Sequence, residues 1–414
     1  SSYAVCKADM IIKGQPVDAI ALGNTLTDDA HAGKDFHYCL SNPPFGVEWK
    51  TSQREVVKEH KQLGFNGRFG PGVPAVSDGS MLFLLHLIDK MRTVDPDDAN
   101  VRGRAAIVLN GSPLFTGRAG SGESEIRRWV IESDLLDAII ALPTDMFYNT
   151  GIATYIWVLD RKKPIERRGY VQLIDGSQMF TKMRKSLGSK RKELLPADIE
   201  TLVQLYAAFD DADDKRSKVF PGEAFGFHTI TVERPLRLAY QATAERIDEA
   251  IQATAVQKLD ETTQEQLRRA LQTLDRKTVW KERPAFDQAL GKALGNAGLQ
   301  VGAPVRKAIH AALGERDETA QICTDAKGNP EQDPKLRDTE NVPLGQDIDE
   351  YVAREVLPYV PDAWVDHAKT KVGYEIPFTR HFYEYVPPRP LEEIDADVKR
   401  LIAEIQDLFA ELDS

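Results

Sequence analysis

The sequence predicts an α/β fold, a doubly wound and mainly parallel sheet followed by a helical C-terminal region. Three observations lead there. Apolar runs that read as buried strands alternate with helical patterns between residues 36 and 174, at the spacing of βαβ units. Several runs stop at turn residues, as at Leu40 before Ser41-Asn42-Pro43-Pro44 and Leu109 before Asn110-Gly111. From about residue 240 the pattern turns helical and polar, rich in Ala, Gln, Glu, Leu and Arg.

In chain order, residues 3–12 read as a helix ending near Gly14 and Pro16, then Ala19–Leu22 as a short strand. Phe36–Leu40 reads as a buried strand, and residues 46–79 as a long glycine-rich loop. Ser80 opens a helix with Leu82, Leu85, Ile88 and Met91 on one face. Arg104–Leu109, Leu135–Leu142, Ala153–Leu159 and Tyr170–Ile174 read as strands. Ser121 and Gly122 open a helix over Glu123–Glu132. Residues 1–175 are expected to form the first domain, with 176–238 a basic, strand-containing segment closing it. Residues 239–414 form the helical region. Within it, 314–346 lacks large apolar groups and reads as a mobile insertion. Leu391, Ile394, Val398, Leu401, Ile405, Leu408 and Leu412 make one apolar stripe on a terminal helix over 391–412.

The chain has 414 residues, 42% hydrophobic and 28% charged, with a net charge of -11. An acidic protein reaches nucleic acid only through a local basic patch or a basic partner. The basic run Lys182, Arg184, Lys185, Lys190, Arg191, Lys192 is the main such segment. It is open to two readings, a track for DNA backbone or a solvated surface. Cys6, Cys39 and Cys323 form no C-x-x-C pair, which fits free thiols in a reducing cytoplasm. No run of 18 apolar residues crosses a membrane, and no metal-ligand cluster stands out, so neither membrane nor metal is expected.

Asn42-Pro43-Pro44-Phe45 carries the clearest chemistry. An exocyclic aromatic amine is a poor nucleophile because its lone pair is delocalised into the ring. Two acceptors aimed at its N–H bonds hold that lone pair toward a methyl donor. The Asn42 side-chain carbonyl and the Pro43 backbone carbonyl supply them, and Pro44 stiffens the turn. Phe45 offers a face for stacking an extruded base. A strand-ending turn with no further role is the competing reading of the four residues alone.

Leu22-Gly23-Asn24-Thr25-Leu26 and Leu40-Ser41-Asn42-Pro43-Pro44-Phe45-Gly46 resemble the modification (M) subunits of type I restriction–modification systems. So do Gly103–Val108 with Phe115 and Gly117, the block Leu142–Ile152, and Val232-Glu233-Arg234-Pro235-Leu236-Arg237-Leu238. The resemblance covers nearly the whole chain in scattered blocks. It implies a Rossmann-like methyltransferase sheet that moves a methyl group from S-adenosyl-L-methionine to N6 of a flipped adenine in double-stranded DNA. It also implies partnership with a specificity (S) subunit and a restriction (R) subunit. The family's glycine-rich cofactor loop precedes the helix that opens this chain, so the expectation is a fragment with an incomplete donor site, inactive alone.

Asn24 and Leu26 match the family's position near the cofactor adenine, although Asn24 equally reads as shaping a turn. Gly117, Gly120 and Gly122 before a helix read either as an anion site or as a flexible loop with a cap. Asp145 and Asn149 follow a strand and either line the target pocket or cap a loop. The terminal helix packs on its own domain or, on family grounds, against the S subunit. Methyltransferases for RNA guanine N2 or protein glutamine share the Asn-Pro-Pro turn and form one alternative. A non-catalytic assembly module forms the other.

Overall fold

The computed structural model describes residues 2–95, 97, 98, 101–212, 215–385 and 387–412, with side chains in the last helix described to residue 406. Helix α1 (Ser2–Ile12) buries none of its residues. Strand β1 (Tyr38–Ser41) follows a run of turns. Helices α2 (Gln53–Leu63) and α3 (Ser80–Lys90) lead to β2 (Arg104–Asn110). Next come α4 (Ser112–Phe115), α5 (Gly122–Glu132), β3 (Leu136–Leu142), β4 (Thr154–Asp160) and β5 (Tyr170–Asp175). A hairpin of β6 (Thr181–Leu187) and β7 (Lys190–Glu193) precedes α6 (Pro196–Ala208) and β8 (Ser217–Pro221).

The central sheet has the order β1-β2-β4-β3-β5-β8. Pairs β1/β2 and β3/β5 are parallel, whereas β2/β4, β3/β4 and β5/β8 are antiparallel. The sheet is therefore mixed, not mainly parallel. The reason lies in the connections. A parallel neighbour needs a crossover of a dozen or more residues, such as the α5 crossover between β2 and β3. The link from β3 to β4 contains no helix and returns the chain antiparallel, between the two strands that α5 joins. The main core packs α3 and α5 against this sheet through Leu82, Leu85, Ile88, Ile107, Ile126, Val130, Ile139 and Trp157.

Three expectations are corrected here. Ala19–Leu22 forms no strand, since so short a run finds no neighbour to pair with, and Leu22 stays exposed. The strand at Phe36–Leu40 lies on the sheet margin, where Cys39 is buried while Tyr38 and Leu40 face outward. The loop over 46–79 contains the whole of α2. Val56 is that helix's sole buried residue, so its apolar stripe is too thin to show in the sequence.

Beyond β8, strand β9 (Gly226–Glu233) is the middle of a second sheet. Strands β10 (Leu238–Tyr240) and β11 (Gly314–Arg316) pair with each other and close off a helical module. That module holds α7 (Ala244–Gln252), α8 (Thr254–Gln257), α9 (Glu261–Gln272), α10 (Arg283–Asn296) and α11 (Ala303–Leu313). Its own core runs from Tyr240 to Leu313. The segment expected to be a mobile insertion is instead packed. Strand β12 (Asp338–Pro343) pairs antiparallel with β9, and Ala320, Cys323, Asp333 and Val342 are buried. Backbone pairing and the Arg316–Asp333 ion pair at 2.7 Å hold it where large apolar groups are scarce.

After α12 (Ile348–Glu355), strands β13 (Trp364–Val365) and β14 (Lys371–Tyr374) pair with the other edge of β9. Tyr374, Ile376 and Phe378 then return to the main core, so the C-terminal region shares the first domain's interior. Helices α13 (Phe378–Phe382) and α14 (Leu391–Leu412) end the described chain.

Candidate active site

Strands β1 and β2 run parallel with Ser41 opposite Ile107, so their carboxyl ends meet on one side of the sheet. Asn42 leaves β1 there. Its side chain is exposed and makes no hydrogen bond among the described residues. Pro43 is buried, Pro44 exposed and Phe45 half-buried. The turn is thus anchored by one proline while the amide stays free. Gly46 follows at φ +60°, a conformation that a side chain disfavours. The chain is then fastened again, because the Trp49 indole donates to the Ala75 carbonyl at 2.9 Å and the Gly79 amide to Val47 at 3.1 Å.

The loop between β3 and β4 comes up beside this turn. Phe147 meets Phe45 edge-on, with centroids 6.1 Å apart and planes at 80°. Asp145 in that loop holds φ at +60° although it is not glycine. Such a conformation costs free energy and persists where surrounding contacts impose it. The contacts come from the basic hairpin. The amides of Arg191 and Lys192 donate to the Asp145 carbonyl at 2.9 and 3.2 Å, and the Ser189 amide donates to Tyr148 at 2.9 Å. The Lys192 ammonium donates to the Thr144 hydroxyl at 3.0 Å and stands 4.0 Å over Phe180. Lys190 lies over the Tyr148 ring at 5.5 Å.

The basic run is therefore a β-hairpin stitched to the loop that carries Phe147. Lys182, Arg184, Lys185 and Arg191 are exposed and hold no ion pair among the described residues. Lys182 faces Lys192 directly across the strands, a pairing that like charges disfavour. Phe147 is the residue that reading from the sequence did not single out. Its signal lay inside the Leu142–Ile152 block, but nothing local says which aromatic there points at Phe45. Asn149 is exposed. Asn110 and Thr154, paired across β2 and β4 near the same carboxyl ends, each keep a buried side-chain oxygen without a partner.

Asn24 and Leu26 sit in a separate turn. The Asn24 carbonyl oxygen accepts from the Leu26 amide at 3.0 Å, and its amide donates to the Ser52 hydroxyl at 3.0 Å. Leu26 is buried. Arg68 clamps this turn by donating to the Thr25 and Leu26 carbonyls at 2.8 and 3.2 Å while pairing with Glu59 at 2.7 Å. His86 borders Arg68 at 3.2 Å, and burial together with that guanidinium pushes its pKa below the usual histidine value.

A mixed α/β sheet with an Asn-Pro-Pro-Phe turn at the carboxyl end of a strand fits a Rossmann-like methyltransferase. The profile of the N-6 DNA methylase family matches residues 1–225, and the chain belongs to that family. It is similar to the MjaIX type I restriction enzyme methylase subunit of Methanocaldococcus jannaschii, 26% identical over 52% of this chain and 35% of that protein. It is also similar to the MpnII type I methylase subunit of Mycoplasma pneumoniae, 29% identical over 50% of this chain and 36% of that one. The chain therefore spans about a third of the length of these curated relatives. Among solved structures, a type I restriction-modification methyltransferase subunit from Streptococcus thermophilus is 27% identical. That match covers 54% of this chain and 44% of that one, with a TM-score of 0.44.

The family implies S-adenosylmethionine as methyl donor. The residues near Asn24 do not by themselves fit it. Both polar groups of the Asn24 side chain are already bonded, and the adjoining cavity, lined by Gly23, Thr25, Asp28 and His86, holds about 80 Å³. Ligand pockets usually run to about 300 Å³ or more. Among the described residues no group of three or more His, Cys, Asp or Glu is placed to hold a metal. No described helix is long and apolar enough to cross a membrane.

Proposed function

We propose that this chain is part of the modification subunit of a type I restriction–modification system and that it methylates adenine N6 in double-stranded DNA. The observation that carries this reading is the free Asn42 side chain beside the Pro43 carbonyl, at the end of β1, in an N-6 DNA methylase. The adenine is flipped out of the duplex to reach the turn. Asn42 and Pro43 accept from the two N–H bonds of the exocyclic amine and aim its lone pair. Pro44 keeps both acceptors on target, and Phe45 stacks on the base. The Lys182, Arg184, Lys185, Lys190, Arg191, Lys192 hairpin holds the DNA backbone beside the loop that carries Phe147.

The donor, S-adenosylmethionine, supplies an electrophilic methyl group when bound. The small cavity by Asn24 supports a donor site completed by polypeptide outside these residues, so that this chain alone is inactive. On this reading residues 1–238 carry the catalytic part, the terminal helix over 391–412 meets the specificity subunit, and the protein works with that subunit and the restriction subunit in the cytoplasm.

The test is labelled methyl transfer to duplex DNA by the complete subunit with its specificity subunit. Asn42→Ala lowers the rate by about a hundredfold or more, the scale expected when a transition-state hydrogen-bond partner is lost. Transfer at the wild-type rate overturns the reading.

A further inference from the structure

The second sheet presents two unlike faces. Ile230 and Val232 on β9 pack into an apolar core with Val342, Val352 and Val356. The alternate residues Thr229, Thr231 and Glu233 point to the other side. Register places Thr339 opposite Thr231 and Lys371 opposite Thr229 on that same polar side. The loop from Thr116 to Ser121 closes over it. Ala119 packs on Gly373, and Gly120 lies beside Lys371, whose side chain an added Cβ would meet at an ordinary contact distance of 3.5 Å.

Between the loop and the sheet lies an open cavity of about 490 Å³, lined by Arg118, Arg337, Lys369 and Lys371 together with threonines. Its charges do not cancel. Glu233, fully buried, accepts from Arg337 at 2.8 Å and Lys369 at 2.9 Å through one oxygen, and its other oxygen has no partner. Asp366 also pairs with Lys369 at 2.7 Å. Two carboxylates thus offset two cations. Arg118 and Lys371 are left exposed, with no ion pair among the described residues. Thr370 adds a buried hydroxyl oxygen without a partner.

We propose that this cavity binds a phosphodiester group of the DNA backbone. Unpaired cations and hydroxyl donors are the groups that hold phosphate oxygens. In a chain of net charge -11, an uncompensated basic cavity is a local exception that an anionic polymer finds. Position adds the rest. The loop that roofs the cavity follows the single turn of α4, which leaves the carboxyl end of β2, the strand parallel to β1 whose own carboxyl end carries Asn42. The basic hairpin approaches that side from the β3–β4 loop, and the duplex spans the two basic surfaces. Apart from the roofing loop, the cavity is built from residues beyond the segment matched by the family profile. The proposal rests on the DNA-methylating reading above.

The experiment is fluorescence anisotropy of a labelled 20-base-pair duplex titrated with the full chain, from low to moderate salt. The double variant Arg118→Ala/Lys371→Ala is compared with wild type, with thermal unfolding to verify that both are folded. Losing two phosphate contacts flattens the salt dependence of log K by about two and weakens binding about tenfold or more near 100 mM salt. A double variant that binds like wild type overturns the proposal. So does weaker binding with an unchanged salt slope, which marks a structural effect, and so does a wild-type chain that binds no duplex. The methylating reading fails separately, through unchanged transfer by the Asn42→Ala subunit.

Discussion

The Phe147 ring stands edge-on to Phe45, 6.1 Å between centroids, across a gap of a hundred residues in sequence. An edge-to-face contact fixes the relative tilt of the two rings. Such pairs contribute about 0.5–1.5 kcal/mol beyond their buried area. Phe147→Ala is therefore expected to slow methyl transfer by the complete subunit about two- to tenfold, with Phe147→Tyr close to wild type. Single-turnover transfer to duplex DNA reads this directly, and an unchanged rate for the alanine variant removes Phe147 from the site.

Arg127 decides whether the C-terminal strand stays on the first domain. Its guanidinium is fully buried and donates to the carbonyls of Tyr374 at 2.6 Å, Thr116 at 2.8 Å and Pro113 at 3.0 Å. Burial pushes its pKa down to about 10, so it remains charged at neutral pH. Arg127→Met leaves these carbonyls, and that of Gly117 at 3.4 Å, without their donor, at about 1–3 kcal/mol for each unsatisfied group. The expected result is at least about 3 kcal/mol of lost stability in urea unfolding. Faster hydrogen exchange is expected at both 112–120 and 371–376. A loss confined to one segment argues against the bridge.

Three histidines make the fold sensitive to mild acid. Burial pushes His86, His310 and His381 below the usual value of 6.5, aided by the nearby cations Arg68, Arg283 and Lys218 respectively. The unfolded chain then binds protons that the folded chain refuses. Stability is full above the unfolded pKa and declines as pH falls from 6.5 through the lower folded values. Denaturant midpoints at pH 7.5 and 5.5 measure the decline, and His86→Gln is expected to shrink it. Equal midpoints in wild type at the two pH values contradict the assignment.

The terminal helix awaits a partner on the proposed reading. Leu391, Ile394, Val398, Leu401 and Ile405 are all exposed, and Leu408 and Leu412 lie outside the described side chains. An apolar stripe of this spacing suits another amphipathic helix. Deleting residues 391–414 is expected to abolish co-purification with the specificity subunit while leaving the melting temperature of the chain nearly unchanged. Retained co-purification shows that the attachment lies elsewhere.

Much of the main sheet was readable because its strands carry their signal locally. Arg104–Asn110 and Leu136–Leu142 are apolar runs bounded by turns, and both form as expected. The Ser121 cap is equally local, since its hydroxyl accepts from the Ser124 amide three residues on. Helix α2 escaped because a single buried valine makes no period, and the packing of 314–346 escaped because its order comes from pairing with β9 rather than from its own apolar content.

The sequence by itself determined the Asn42-Pro43-Pro44-Phe45 turn at a strand end and the basic composition of residues 182–192. Proline geometry, turn chemistry and charge act over a few residues. Only the tertiary structure decided that Phe147 meets Phe45, that the hairpin is bonded to the loop bearing Phe147, and that Arg118 and Lys371 share one cavity. Those relationships join residues far apart in the chain. The first two exist because the mixed sheet brings the β1 and β3 carboxyl-end loops to the same side, and the third because β14 pairs with β9 under the loop that follows α4.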